Sequence, residues 1–223
     1  MDLASLYAKA NCQAHRDAEQ IVKENAKLIQ WRKDGHDALI DIGSGPGTVV
    51  MDFLYPLLPI NYKELIVSDI SDKMMNYARE RFGKDEKMLD NINDLLSSDG
   101  GDCLLLFLAS NVLFDSYEII AKKSKWSGYM HDYEQFSSPY YHSLDAAAEF
   151  RKLLEQAGFE DCKVELRHQE FVYEGLHAVR GESLYLLREK SIEGTDDFKF
   201  RKPYKILIAY ARKPKGCQKK QVK

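Results

Sequence analysis

The chain alternates between helical and strand-like patterning of apolar positions. Between Gln13 and Trp31, Ala14, Ala18, Ile21, Val22, Leu28 and Ile29 recur at roughly helical spacing without Gly or Pro, which predicts a helix ending near Lys33-Asp34-Gly35. Ala38 to Ile42 is a short apolar run closed by Gly43 and reads as a buried strand. Thr48 to Leu58 reads as a helix, Glu64 to Val67 as a second buried strand, and Asp72 to Phe82 and Met88 to Leu96 as two further helices. Asp102 to Ala109 is apolar almost throughout, the pattern of a central strand. Ser143 to Ala157 predicts a helix with Ala146, Phe150, Leu153 and Leu154 inward and Gly158 as its left-handed stop. Lys163 to Tyr173 alternates as a long strand, and Tyr204 to Tyr210 forms the last.

Strands alternating with helices imply βαβ units, hence an α/β fold with a mainly parallel sheet. The hairpin-like final pair suggests an antiparallel last strand. Residues 1–213 fit one domain, with 34–110 as a ligand-binding half and 111–203 as a substrate or lid half, followed by a basic, solvated, disordered tail at 214–223. No internal repeat is evident.

Composition narrows the function classes. Of 223 residues, 44% are apolar and 30% charged, enough to build a core, and the net charge of -3 argues against nucleic-acid binding. Cys12, Cys103, Cys162 and Cys217 lie far apart without zinc-ligand spacing, so neither a metal site nor a disulfide framework is expected. There is no leader-like start and no apolar run long enough to span a bilayer, so a cytoplasmic protein is expected. A homodimer is compatible with the sequence and not specified by it.

The chemistry concentrates after the first strand, at Asp41-Ile42-Gly43-Ser44-Gly45-Pro46-Gly47. Gly43 permits a sharp turn, Gly45 a close approach of backbone to ligand, and the helix from Thr48 turns amides toward the same crevice. Such a turn serves both dinucleotide dehydrogenases and methyltransferases. Three details favour the methyltransferase: GxGxG spacing with Thr48 where a dinucleotide fingerprint needs its third glycine, Asp41 two positions before the first glycine, and Asp69 ending the second strand where it can accept ribose hydroxyls. The expected cofactor is S-adenosylmethionine, held by Asp41, Gly43, Ser44, Gly45, Gly47, Asp69 and Ile70. The plainer alternative is an ordinary turn, with Asp41 and Asp69 capping helices.

Trp126, Tyr129, Tyr133, Phe136, Tyr140 and Tyr141 form an aromatic-dense segment. It can line an apolar acyl pocket, or it can pack a helix and loop over the sheet. His142 can hydrogen-bond a carboxylate or be solvated. Candidate substrate-orienting residues are Gln13, Trp126, Tyr140 and His142, and no residue is marked as an acid–base catalyst.

The chain also resembles the insect juvenile hormone acid O-methyltransferases, through ALIDIGSGPG at 38–47, SDISDKMMNYA at 68–78, NINDLLSSDGGDCLLLFLAS at 91–110, KWSGYM at 125–130, SSPYYHS at 137–143 and PYKILIAYARK at 203–213. The resemblance implies a Rossmann-like S-adenosylmethionine-dependent fold and methyl transfer to a small apolar carboxylic acid of the farnesoid type. It also implies a missing internal segment. The family has two further strands between the helices ending near Arg81 and Leu96, where this chain has only Phe82 to Lys87, and the lid between Tyr173 and Tyr204 is shortened. Ala14 stands where the family tends to place an active-site Gln, with Gln13 beside it. The reduced sheet is expected to have five strands, with the Asp102 strand closing up beside the Asp41 strand, because unpaired buried backbone groups cost roughly 1–3 kcal/mol each. A non-catalytic binder of the same fold, or a nicotinamide dehydrogenase, are the rival readings.

Overall fold

The computed structural model describes residues 7, 11–69, 71–74, 76–77, 100–174 and 199–214. The chain forms two compact units, Met1–Ser97 with Leu176–Gly194, and Ser98–Gly175 with Thr195–Lys223.

In the first unit, helix α1 (Cys12–Asn25) buries Gln13, Asp17, Ala18, Ile21 and Val22, spaced to lie along one face. It ends in a 3-10 turn at Ala26–Leu28, well short of the expected end near Lys33-Asp34-Gly35. The Asn25 amide folds back to donate to the Ile21 carbonyl at 2.8 Å, a local stop that apolar spacing does not reveal. Strand β1 (Ala38–Ile42) pairs in parallel with β2 (Glu64–Ser68), in unbroken register from Ala38 opposite Glu64 to Ile42 opposite Ser68. Between them, 48–57 is helical, with a π segment at Val50–Leu54 and a 3-10 turn at Tyr55–Leu57.

In the second unit, β3 (Gly101–Asn111), β4 (Glu160–Glu174) and β5 (Lys199–Lys213) form an antiparallel sheet in the order β3-β5-β4. Helix α2 (Val112–Ala121) follows β3 directly, and helix α3 (Ala146–Gln156) precedes β4. Asp145 caps α3 by accepting from the Ala148 amide at 3.0 Å, and Gly158, at φ 90°, ends it as expected. Two linked core clusters form where α3 meets the sheet. One joins Ala109, Ala146 and Leu207 with Phe107, Tyr140 and Phe150, and the other joins Leu154, Ala209 and Ala211 with Leu105 and Phe159. Asp102 on β3, Tyr210 and Arg212 on β5 and Asp161 on β4 form a polar network across all three strands. The Tyr210 hydroxyl donates to Asp102 at 2.9 Å, and Arg212 reaches Asp102 at 3.2 Å and Asp161 at 2.8 Å.

Three expectations are corrected. The described strands do not form one five-stranded sheet with the Asp102 strand beside the Asp41 strand: they form a two-stranded and a three-stranded sheet. Closure would be required only where an unpaired edge is fully buried. Ile42, at the end of β1, is 49% exposed and Leu106, in β3, 36%, so neither strand is wholly buried. Among the described strands, β1 and β2 pair in parallel and the other pairings are antiparallel. Second, β3 is an edge of its sheet and β5 is the centre, which explains why Tyr204 and Ile206 to Ala211 are buried. Third, Leu153, expected inward on α3, is 52% exposed, whereas Ala146 and Leu154 are buried.

The expected helix from Asp72 is helical at 72–74 and 76–77, capped by Ser71, whose hydroxyl accepts from the Met74 amide at 3.4 Å. Its remainder, the helix at Met88–Leu96, most of the expected lid and the basic tail beyond 214 lie outside the described residues. No described helix is long and apolar enough to cross a membrane.

Candidate cofactor loop and substrate residues

The loop that leaves β1 turns through three left-handed glycines, Gly43 at φ 75°, Gly45 at φ 56° and Gly47 at φ 75°. Side chains with a Cβ disfavour this region, which is why glycine recurs at alternate positions. Among the described residues, a Cβ at Gly45 would meet only the Tyr7 ring, at 3.4 Å, an ordinary contact, and the backbone angle is what favours glycine there. The amides of Gly43 and Ser44 both donate to the Ser68 carbonyl, at 2.8 and 2.9 Å, which fastens the turn to the end of β2. Gly47 donates to the Ser44 carbonyl at 3.0 Å, and Met51 to the Gly47 carbonyl at 3.2 Å, so the helix begins immediately.

Asp69 stands directly after β2 and holds two backbone segments. Its Oδ2 accepts from the Gly45 amide at 2.9 Å and its Oδ1 from the Ser71 amide at 2.8 Å. Each oxygen keeps a further acceptor position, so this bracing leaves Asp69 able to accept a hydroxyl as well. Asp41, in β1, has the opposite environment. Burial pushes its carboxyl above the usual range, the charge of Asp69 adds to that shift, and the Ser44 side chain opposes it. Even so, among the described residues Asp41 Oδ2 and Ser44 Oγ are both buried without a hydrogen-bond partner of acceptable geometry, as is Thr48 Oγ1 at the start of the helix.

Gln13 belongs to the same unit. It is 6% exposed and its Oε1 is buried without a partner, whereas the adjacent Ala14 is exposed. The helix therefore turns Gln13 inward at the place where the family resemblance raised the question between positions 13 and 14. Asp17, one turn later on the same face, is 3% exposed and accepts from Arg16 at 3.0 Å. Helix α1 is pinned to the helix after the loop by His15, whose Nε2 lies 2.8 Å from Asp52 Oδ2 and whose ring lies 4.7 Å from that of Phe53. Tyr7 and Asp17 were not singled out from the sequence, and Thr48 entered there only through the spacing of the loop. Asp17 stands four residues after the candidate Gln13 on an otherwise apolar helix face, and that spacing is the signal that would have found it.

The other candidates belong to the second unit. Tyr140 packs its ring against Phe107 and Phe150, each at 5.8 Å, and burial raises its hydroxyl pKa. Trp126 is 40% exposed, 6.4 Å from the Tyr129 ring and under the Lys125 ammonium at 4.6 Å. His142 is exposed and lies against the Tyr141 ring at 4.4 Å, while the Tyr141 hydroxyl bonds Asp115 and lies 3.4 Å from Glu118. Burial and these two carboxylates push the Tyr141 hydroxyl well above the usual phenol range, which keeps it a neutral donor. Ile70 lies outside the described residues.

No protein-family profile matches the chain. A Drosophila melanogaster protein named juvenile hormone acid O-methyltransferase is 36% identical over 276 residues, spanning 96% of this chain and 93% of its own length. A Bombyx mori protein of the same name is 31% identical over 216 residues, spanning 81% of this chain and 77% of its own. The first alignment, 276 positions laid over a 223-residue chain, leaves at least 53 positions of the relative without a counterpart here, in keeping with the missing internal segment. A solved Bacillus halodurans C-125 protein assigned as a methyltransferase is 16% identical, with a TM-score of 0.48 over 86% of this chain and 98% of its own.

Proposed function

Because this chain belongs to the juvenile hormone acid O-methyltransferase family, we propose that it methylates the carboxylate of a small apolar, farnesoid-type acid with S-adenosylmethionine as donor. One observation carries the cofactor part of this reading: Asp41 Oδ2, Ser44 Oγ and Thr48 Oγ1, all buried at one glycine loop, have no partner of good hydrogen-bond geometry among the described residues. Buried polar groups in native proteins are nearly always satisfied. Three unsatisfied oxygens at a turn already fitted for close backbone approach suit a polar ligand with donor groups. The donor set is acidic and hydroxylic, which matches a cofactor bearing an ammonium and ribose hydroxyls.

Asp41, Gly43, Ser44, Gly45, Gly47 and Asp69 would hold the cofactor, with Thr48 added by its orphaned hydroxyl, and Gln13 facing inward from α1 as a further polar contact. When bound, S-adenosylmethionine supplies a methyl group on a positively charged sulfur. The residues here have an alignment task. A carboxylic acid substrate is already ionised at neutral pH, so its oxygen attacks without a general base. The protein's contribution is to hold the acid in line and exclude water. Trp126, Tyr140 and His142 remain the proposed substrate-side residues. In this role Tyr140 forms an apolar wall, since its ring is packed in the core, and His142 is the exposed group able to donate to a carboxylate.

Transfer of isotopically labelled methyl from S-adenosylmethionine to farnesoic acid or a juvenile hormone acid tests this directly. A labelled methyl ester is the expected product, and its absence from a protein that binds S-adenosylhomocysteine would overturn the catalytic reading. A second reading, a methyltransferase-fold binding protein without turnover, is favoured by the division of the described strands into two sheets and by the shortfall against the Drosophila relative. That combined result, binding without product, would select it.

A further inference from the structure

We propose that His15 is a positioning residue of the cofactor site: its bond to Asp52 holds the first turn of α1 against the helix that leaves the glycine loop, and so fixes Tyr7 and the inward-facing Gln13 relative to that loop. The inference rests on the cofactor reading above and extends it to a residue that acts through α1 and not by touching the ligand. A single stripe of the N-terminal helical stretch carries the contacts. The Asn11 amide donates to the Tyr7 carbonyl and the His15 amide to the Asn11 carbonyl, both at 2.9 Å, so Tyr7, Asn11 and His15 follow one another at four-residue steps. At one end of the stripe the Tyr7 ring lies 3.4 Å from the Cβ position of Gly45. At the other, His15 Nε2 lies 2.8 Å from Asp52 Oδ2, and the His15 ring lies 4.7 Å from that of Phe53.

The two halves of α1 are held differently. In the far half Ala18, Ile21 and Val22 are buried, and their apolar packing sets that end of the helix. The first turn, Cys12 to His15, buries no apolar residue. Cys12 and Ala14 are exposed, and the inward residue, Gln13, is polar, with its Oε1 unpartnered among the described residues. A polar atom without a partner does not anchor a helix end. His15, half-buried at the rim of the inward face, supplies the lateral contact that the first turn otherwise lacks.

The carboxylate one turn along α1, Glu19, bonds Lys23 at 2.5 Å, and His15 turns instead to Asp52. Asp52 and Phe53 lie in the π segment Val50–Leu54, whose wider turn departs from α-helical side-chain directions. Asp52 stands four residues after Thr48, so the clasp closes one turn from the end of the glycine loop. The pair is partly open to water, with side-chain exposures of 32% and 51%. Its contribution to global stability is therefore small, and its effect falls on where the first turn of α1 sits.

Titration calorimetry with S-adenosylhomocysteine tests this on the full chain, His15→Ala, Asp52→Ala, the double variant and His15→Gln, each checked for folding by circular dichroism. An exposed pair changes an affinity by about two- to fivefold. His15→Ala and Asp52→Ala should each weaken binding by that factor. The double variant should bind no more weakly than the weaker of the two single variants, because both changes break one contact. His15→Gln keeps an N–H donor within reach of Asp52 and should restore most of the affinity. A residue that only stabilised the fold would lower the urea midpoint and leave the affinity unchanged. Hydrogen exchange without ligand gives a second readout: in His15→Ala the amides of 15–18 should exchange faster, while those of 21–25 do not change. Unchanged affinity in folded His15→Ala, additive losses in the double variant, a Gln variant as weak as the Ala one, or unaltered exchange at 15–18 would each overturn the inference and leave the cofactor reading in place. An unsubstituted chain that binds no S-adenosylhomocysteine would overturn the cofactor reading, and this inference with it.

Discussion

Asp41→Asn should make this protein more stable at neutral pH while weakening its cofactor binding. Asp41 Oδ2 is buried without a hydrogen bond, and burial together with the nearby charge of Asp69 holds the carboxyl pKa above its ordinary value. A buried polar group left unsatisfied costs about 1–3 kcal/mol, and more when charged. Asparagine has the same shape and keeps the neutral part of that cost, so the gain is the charge-dependent part, for which the lower figure of about 1 kcal/mol is the fitting scale. In a chain of this length that raises Tm by about 2–4 °C. The sign with pH is fixed by linkage. A carboxyl whose pKa is raised on folding makes the folded state bind more protons than the unfolded state, so stability falls as pH rises from the unfolded pKa through the folded one. The advantage of Asn should therefore be full above the raised pKa and should vanish below the ordinary carboxylate value of about 3.9. Thermal unfolding of both proteins at pH 7 and near pH 4 measures it. A variant less stable than the parent at pH 7, or a difference that does not shrink on acidification, would refute the reasoning.

Two further predictions concern the scaffold. Leu207→Ala, at a position with 0% exposure on the central strand, should cost about 2–5 kcal/mol in urea unfolding. A loss under about 1 kcal/mol would show that this cluster collapses around the gap. Asp145→Ala removes the acceptor that caps α3 and should cost about 1 kcal/mol, read as a lower urea midpoint with an unchanged slope.

What the sequence made legible was local. The bounds of β1 were readable because Gly43 punctuates an apolar run, and the end of α3 because Gly158 is a left-handed stop. The glycine loop after β1 was readable for the same reason: Gly43, Gly45 and Gly47 take a backbone conformation that other residues avoid. Strand order was not readable. Apolar composition made β3 look central, yet β5, whose Lys205 and Arg212 interrupt its apolar pattern, takes the centre because it can pair antiparallel with both neighbours along most of its length. The outcome of losing an internal segment was also hidden, since local patterns carry no information about whether an edge closes against another strand or stays at the surface. Within the site, side-chain direction separated neighbours that sequence could not, turning Gln13 inward and Ala14 outward, and seating Tyr140 among Phe107 and Phe150.

The central claim is that the Asp41 to Gly47 loop holds S-adenosylmethionine, and titration calorimetry with S-adenosylhomocysteine tests it most directly. Gly45 is held at φ 56°, a region that β-branched residues rarely adopt. The unsubstituted chain should therefore bind one equivalent, and Gly45→Val, confirmed folded by circular dichroism, should not bind. Absence of heat with the unsubstituted chain, or unchanged affinity in the folded Gly45→Val protein, would contradict the account.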